Sequence, residues 1–219
     1  GVRIVDNVTR DAVDREPEAS GAGTEPRRAH VERRTGETSV VLELNLDGEG
    51  SARVDTGIGF FDHMLTLLAR HSLVDLEVDA QGDLDTGAHH TVEDVGICLG
   101  RALDEALGGK LGIARYGEAH VPMDESLAHV ALDLSGRPFL AWSADLPPAT
   151  VIGGFDLDLA HEFFQALVSN ARVSAHVRLL AGTNPHHMVE AIFKAFARAL
   201  RMAAGPDPRR TGIPSTKGV

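Results

Sequence analysis

Two stretches of this chain set a pair of adjacent imidazoles one helical turn ahead of a carboxylate: His89-His90-Thr91-Val92-Glu93 and His186-His187-Met188-Val189-Glu190. Residues four apart on a helix stand one above the other, so His89 with Glu93, and His186 with Glu190, can each offer a nitrogen and an oxygen to one ion. The neighbouring rings, His90 and His187, project about 100° further round the helix and cannot comfortably serve that same ion. Each motif therefore feeds two different metals, and two motifs make two sites. The spacing pairs His89, Glu93 and His187 at one, and His186, Glu190 and His90 at the other. Imidazole and carboxylate without thiolate suit Mn, Fe(II), Co or Zn. The one cysteine, Cys98, rules out a disulfide framework within the chain and a thiolate zinc knot, and suits a reducing compartment. Neither motif is of the zincin type, which needs Glu directly after its first His.

Further candidates surround these motifs. His63 and His161 lie in or beside the helix preceding each motif. His71, His120, His129 and His176 have weaker claims, the last two falling within strands. The net charge is −11, from 21 Lys plus Arg against 32 Asp plus Glu. Such a balance argues against a protein held on nucleic acid or an anionic membrane by general charge, so an anionic ligand must be captured by local cations. Those cations are Arg115, Arg137 in the turn Ser135-Gly136-Arg137-Pro138, Arg209-Arg210, and Lys217 in the cluster Ser215-Thr216-Lys217-Gly218. No apolar run approaches the roughly 18 residues that span a bilayer, and the expected location is cytoplasmic.

The positioning elements are legible from periodicity. Residues 1 to about 30 are charged and carry Pro17 and Pro26 without sustained pattern, which predicts a mobile tail. Structure is expected to begin near Thr38, where Val40, Leu42, Leu44 and Leu46 alternate with polar residues as a strand. Asp47-Gly48-Glu49-Gly50 turns the chain into a second strand over Ser51 to Thr56. A helix carrying Phe60, Met64, Leu67 and Leu68 follows, then a strand from Leu73 to Val78 and a helix from Val92 to Leu107. The order recurs: short strands at His120 to Met123, Leu127 to Leu134 and Pro138 to Ser143, a helix from Leu157 to Ala171, a strand from Val173 to Leu180, and a helix from Met188 to Ala204.

Phe60-Phe61 aligns with Phe163-Phe164, Gly82 with Gly182, the two His-His-x-x-Glu motifs with each other, and Arg101-Ala102-Leu103 with Arg198-Ala199-Leu200. A period near 100 residues is too long for a solenoid and fits a duplicated half-domain. The expected fold is α+β: a tandem duplication of a half-domain in which a small sheet is covered on one face by two helices. The expected divisions are a tail over 1–30, a first repeat over 31–114, a second over 115–205 and a C-terminal segment over 206–219.

Taken together, Phe60-Phe61-Asp62-His63-Met64-Leu65, Ala88-His89-His90-Thr91-Val92-Glu93-Asp94, Met123-Asp124-Glu125-Ser126-Leu127, Gly136-Arg137-Pro138, Asn184-Pro185-His186-His187-Met188-Val189-Glu190-Ala191 and Pro214-Ser215-Thr216-Lys217-Gly218 resemble the imidazoleglycerol-phosphate dehydratases of histidine biosynthesis. The likeness runs from about Arg34 to the C-terminus. It implies a tandem pair of four-stranded units, a 24-subunit cage, and two Mn(II) per subunit at sites built between subunits. By matching position it implies that His63, His89, His90, Glu93, His161, His186, His187 and Glu190 are metal ligands. It further implies that Arg115, Arg137, Ser215 and Lys217 hold the phosphate, and that Glu37 lies at the reacting carbons. Glu37 with His63, His89 and His187 is then the set expected to carry the chemistry. Two departures stand out: Leu67, where many relatives carry Gln, and the long segment before Ala29.

The implied reaction, a carbon–oxygen lyase reaction, suits the motifs. Removing a carbon-bound hydrogen that is barely acidic faces a high barrier. Two metals gripping the two imidazole nitrogens of a substrate would favour the imidazolate, whose electrons expel the adjacent hydroxyl and give a diazafulvene. The neighbouring carbon proton is then acidic enough for a carboxylate, and the enol relaxes to imidazole acetol phosphate. A metal-storage assembly would need no convergent phosphate ligands. A dinuclear hydrolase would hold its metals roughly 3.5 to 4 Å apart, closer than a bridging imidazolate requires.

Overall fold

The computed structural model describes residues 27–215, so Lys217 and the expected tail up to residue 26 lie outside the described residues. The first half runs β1 (Arg28–Arg34), β2 (Thr38–Asn45), β3 (Ala52–Asp55), α1 (Gly59–Ser72), β4 (Asp75–Gly82) and α2 (His89–Leu107). The second runs β5 (Tyr116–Met123), β6 (Ser126–Asp133), β7 (Phe139–Ser143), a small hairpin β8 (Val151–Ile152) and β9 (Phe155–Asp156), α3 (Leu159–Ala171), β10 (Ser174–Ala181) and α4 (Pro185–Ala204). The sheet orders are β1-β2-β4-β3 and β5-β6-β10-β7. In each, an antiparallel hairpin is followed by a parallel crossover through a helix, the arrangement that returns a strand to its own sheet. This is the duplicated α+β half-domain. No helix among the described residues is long and apolar enough to cross a membrane.

Among the described residues the first strand opens at Arg28, ten residues before Thr38 and inside the expected tail over 1–30. In β1 only Ala29 and Val31 point into the core, between exposed Arg28, His30 and Glu32. Arg33 turns inward and donates from Nε to Asp94 Oδ1 at 2.7 Å, and the Thr38 hydroxyl donates to the other oxygen of that buried carboxylate. A strand whose inward charge is satisfied by a partner on a distant helix has no local hydrophobic signature. The start of β5, at Tyr116 rather than His120, is hidden for another reason: its inward residues are Gly117 and Ala119, too small to mark a strand.

Each sheet covers its own helices, and the helices of the two halves then meet: α1 lies along α4 and α2 along α3. The sheets are the outer layers, and Phe61, Phe155, Phe163, Phe164, Phe193 and Phe196 fill the middle with no exposed surface to speak of. Helix register corrects one alignment. The left-handed caps Leu73 and Arg172 end α1 and α3 at equivalent places. Counting back from them sets Phe163 opposite Met64, and Phe60-Phe61 opposite Leu159-Ala160. The Phe pairs are one turn apart, because the cap rather than a shared letter fixes register. His161 then falls opposite Asp62, one residue from the place of His63.

Helices α2 and α3 approach closely because α2 carries Gly96 and Gly100 on that face. A Cβ on Gly100 would lie 2.5 Å from the Leu167 carbonyl oxygen and 2.7 Å from Asn170 Cβ. Gly100→Ala sets two effects against each other. Helix propensity favours Ala by about 1 kcal/mol, whereas overpacking a backbone contact costs about 1 to 3 kcal/mol. The obstacle is backbone, which cannot swing aside, so the substitution is expected to lower the thermal midpoint. A raised midpoint would show that the helices separate at little cost.

Candidate active site

Both motifs occupy first turns: His89-His90 open α2 and His186-His187 follow Pro185 at the start of α4. Asn184 caps α4, its side-chain oxygen accepting from the backbone N–H of His186 at 3.0 Å and of His187 at 3.4 Å, and Pro185 fits the first helical position because no N–H is needed there. Within each motif the i,i+4 pair faces one way: His89 Nε2 lies 3.8 Å from Glu93 Oε2, and His186 Nε2 lies 3.1 Å from Glu190 Oε2. The neighbouring rings stand nearly perpendicular to these, at 87° for His89 and His90 and 81° for His186 and His187.

One candidate metal site gathers three donors within the chain. His63 from α1 joins His186 and Glu190 of α4, and candidate ligand atoms of the three lie within 4.8 Å of one another. Because α1 lies along α4, a histidine of the first half serves the motif of the second. Glu190 is buried and divided in its loyalties: Oε2 faces both imidazoles, at 3.4 Å from His63 and 3.1 Å from His186, while Oε1 lies 2.5 Å from Lys194 Nζ. Burial pushes its carboxyl up, but the Lys194 bond and charge, with the bonds from His186 and His63, outweigh this and hold it below the usual range.

Among the described residues no second triad forms in one chain. His161 stands instead beside Trp142, with Nδ1 3.3 Å from Glu162. His90 and His187 turn their Nδ1 atoms to carboxylates: His90 to Asp83 at 3.0 Å and His187 to Glu125 at 2.9 Å. Each carboxylate raises the pKa of its histidine. Glu125 in turn is held far below the usual carboxylate range by the His187 bond, then by the backbone N–H groups of Asn184 and Thr183. Glu37 sits exposed in the β1–β2 turn, with Oε2 3.9 Å from His90 Nδ1.

Of the candidate phosphate ligands, Arg115, Arg137 and Ser215 meet elsewhere, in a cleft of about 310 Å³ lined also by Lys110, Gly136 and Arg172 among others. None of the eight candidate metal ligands lines it. Arg115 is preset by Asp133, donating from Nε at 2.7 Å and from Nη2 at 3.2 Å, and it donates to the Pro214 carbonyl at 2.5 Å, which pins the C-terminal segment across the cleft. Arg137 reaches out 3.9 Å from Asp133 and is mostly exposed. Lys110 and Arg172 were not among the cations singled out from sequence. Burial pushes the Lys110 ammonium down, and the glycines at 108 and 109 just before it were the available signal. Asp83 and Glu125 were likewise unassigned, although Glu125 precedes the β6 strand as Glu37 precedes β2.

Known proteins resemble this chain along nearly their whole length. A model of the imidazoleglycerol-phosphate dehydratase family matches residues 56–200. The imidazoleglycerol-phosphate dehydratase of Moorella thermoacetica is 56% identical over 193 residues, covering 88% of this chain and 98% of that protein. Its counterpart from Laribacter hongkongensis is 58% identical over 194 residues, with the same coverage of 88% and 98%. The crystal structure of imidazoleglycerol-phosphate dehydratase from Staphylococcus aureus superposes with a TM-score of 0.75 at 42% identity, covering 82% of this chain and 99% of that one. Likeness at this level, spanning both halves and both motifs, makes the chain a member of the imidazoleglycerol-phosphate dehydratase family.

Proposed function

We propose that this protein dehydrates imidazoleglycerol phosphate to imidazole acetol phosphate in histidine biosynthesis, using two divalent ions of the Mn(II) type per subunit at sites completed between subunits of a 24-subunit cage. The observation that carries the reading is the convergence of His63, His186 and Glu190 at the start of α4. Two imidazoles and a carboxylate fit a borderline or hard dication, and Glu190 Oε1 engages Lys194 while Oε2 stays aimed at the imidazoles. Three donors are fewer than a stable octahedral site needs. His89 and Glu93 make only a pair, with His89 exposed and Glu93 half-buried. Donors left open at the surface suit completion by another chain, with His90, His161 and His187 as the remaining ligands.

Bound divalent ions would favour the deprotonated substrate ring, the electron source for expelling the hydroxyl on the carbon beside it along the diazafulvene route. The chain's own groups do the rest. Glu37 takes the proton from the next carbon and delivers one to the enol. Arg115, Arg137, Ser215 and Lys217 grip the phosphate, with Asp133 holding the Arg115 fork in place, so that the glycerol arm is oriented before any bond breaks. Mixing Mn(II)-loaded protein with imidazoleglycerol phosphate tests the reading: an enolisable ketone accumulates, and its absence would refute the activity.

Phosphate capture by an acidic protein must rest on few cations. Arg137→Ala removes one charge-assisted contact, worth about 1.5 to 3 kcal/mol, so KM is expected to rise roughly ten- to a hundredfold with kcat much less affected. Steady-state kinetics check this, and an unchanged KM would take Arg137 out of the phosphate site.

A further inference from the structure

The two halves share one topology, so Thr38 and Ser126, each buried and each opening the second strand of its sheet, occupy equivalent places. The close neighbours agree: a Cβ on Gly82 would meet Thr91 and Thr38, and one on Gly182 would meet Met188 and Ser126. Glu37 and Glu125, which stand immediately before Thr38 and Ser126, are therefore duplicates of one ancestral carboxylate position. Their side chains do different things. Glu125 Oε1 accepts from the backbone N–H of Asn184 at 2.7 Å and of Thr183 at 3.1 Å, and from the Ser126 hydroxyl at 2.8 Å. Its Oε2 accepts from His187 Nδ1 at 2.9 Å. Glu37 is 3.9 Å from the equivalent atom, His90 Nδ1, which is beyond hydrogen-bond distance. His90 is held instead by Asp83, at 3.0 and 3.1 Å. Asp83 follows Gly82, and the residue that follows Gly182 is Thr183, which has no carboxylate.

Each half thus spends one carboxylate on the Nδ1 atom of its motif's second histidine, but takes it from different places. We propose that Glu125 is a positioning residue that fixes the His187 tautomer for metal ligation, and that Asp83, by doing this for His90, releases Glu37 for proton transfer. An ionised carboxylate only accepts hydrogen bonds, so a neutral His187 must carry its one proton on Nδ1 and present a lone pair at Nε2. That is the form a divalent ion requires, and orienting partners of this kind tune ligand strength and geometry. The asymmetry between the halves has a consequence for chemistry: a duplicated fold that would otherwise hold two hydrogen-bonded glutamates keeps Glu125 hydrogen-bonded and leaves Glu37 3.9 Å from its histidine, outside hydrogen-bond reach.

The inference rests on the metal reading of the motifs, and a titration with Mn(II) alone separates the two. Free aqueous Mn(II) is counted by its electron paramagnetic resonance signal as metal-free protein is added. The unaltered protein is expected to bind. Glu125→Gln sets an amide donor against His187 Nδ1 and should weaken Mn(II) binding roughly ten- to a hundredfold, while the circular dichroism of the metal-free protein is unchanged. Adding Thr183→Asp, which supplies a carboxylate where the first half has Asp83, should recover most of the loss. In a His187→Ala background Glu125→Gln should cost nothing further, since the pair acts through one ring. Wild-type affinity in Glu125→Gln, or an equal loss with and without His187, would overturn the assignment and leave the metal reading standing. Failure of the unaltered protein to bind Mn(II) would overturn both.

Discussion

Protein stripped of divalent metal by a chelator is expected to lose turnover by roughly a thousandfold or more, and added Mn(II) is expected to restore it. The size follows from the chemistry. Removing a proton beside a hydroxyl-bearing carbon has no easy base-catalysed path, and a Lewis acid on the reacting ring supplies several kcal/mol, each 1.4 kcal/mol being worth about tenfold in rate. Glu190→Gln extends the test to a single ligand. A neutral amide is a poorer ligand for a hard dication, and the half-buried Lys194 ammonium 2.5 Å away would lose its charged partner as well. Metal content is therefore expected to fall before, and in proportion to, kcat. Elemental analysis on the kinetic samples decides the matter: full activity in protein shown to be metal-free would end the metal reading.

Glu37→Gln should separate chemistry from ligation. Its carboxylate is exposed, lies outside the triad of His63, His186 and Glu190, and is beyond hydrogen-bond distance of His90 Nδ1. Loss of a general acid or base lowers kcat by roughly 10² to 10⁴, with bound metal, assembly size and KM little changed. If metal is lost in parallel with activity, Glu37 is a ligand or holds one. If activity persists in full, the proton passes through another group, and Asp83, 3.0 Å from His90, becomes the nearest carboxylate to examine.

Much of the fold was readable because its signals are local. The alternation of Val40, Leu42 and Leu44 marks β2, and the apolar faces of α2 and α4 follow the helical period. Where the core-facing residue is charged, as Arg33 is, the pattern breaks and β1 vanished from view; its partner Asp94 belongs to another element. The Phe pairs misled for a related reason: identical letters one turn apart imitate a repeat, and only the left-handed caps at Leu73 and Arg172 reveal the true register.

The candidate site divides along the same line. Sequence by itself determined which side chains pair along each helix, His89 with Glu93 and His186 with Glu190, because i,i+4 contact on a helix needs nothing beyond the helix. It also determined the duplication and, through the motifs, the family. Only the tertiary structure decided that His63 joins the second motif rather than the first, since that follows from α1 lying along α4. It alone gathered Lys110, Arg115, Arg137 and Arg172 into one cleft. It alone gave Asp83 and Glu125 to the two histidines while leaving Glu37 outside hydrogen-bond reach. The reason is geometric: contact between residues on different elements depends on how those elements pack, and packing is settled by the whole core of buried side chains, which no single stretch of sequence contains.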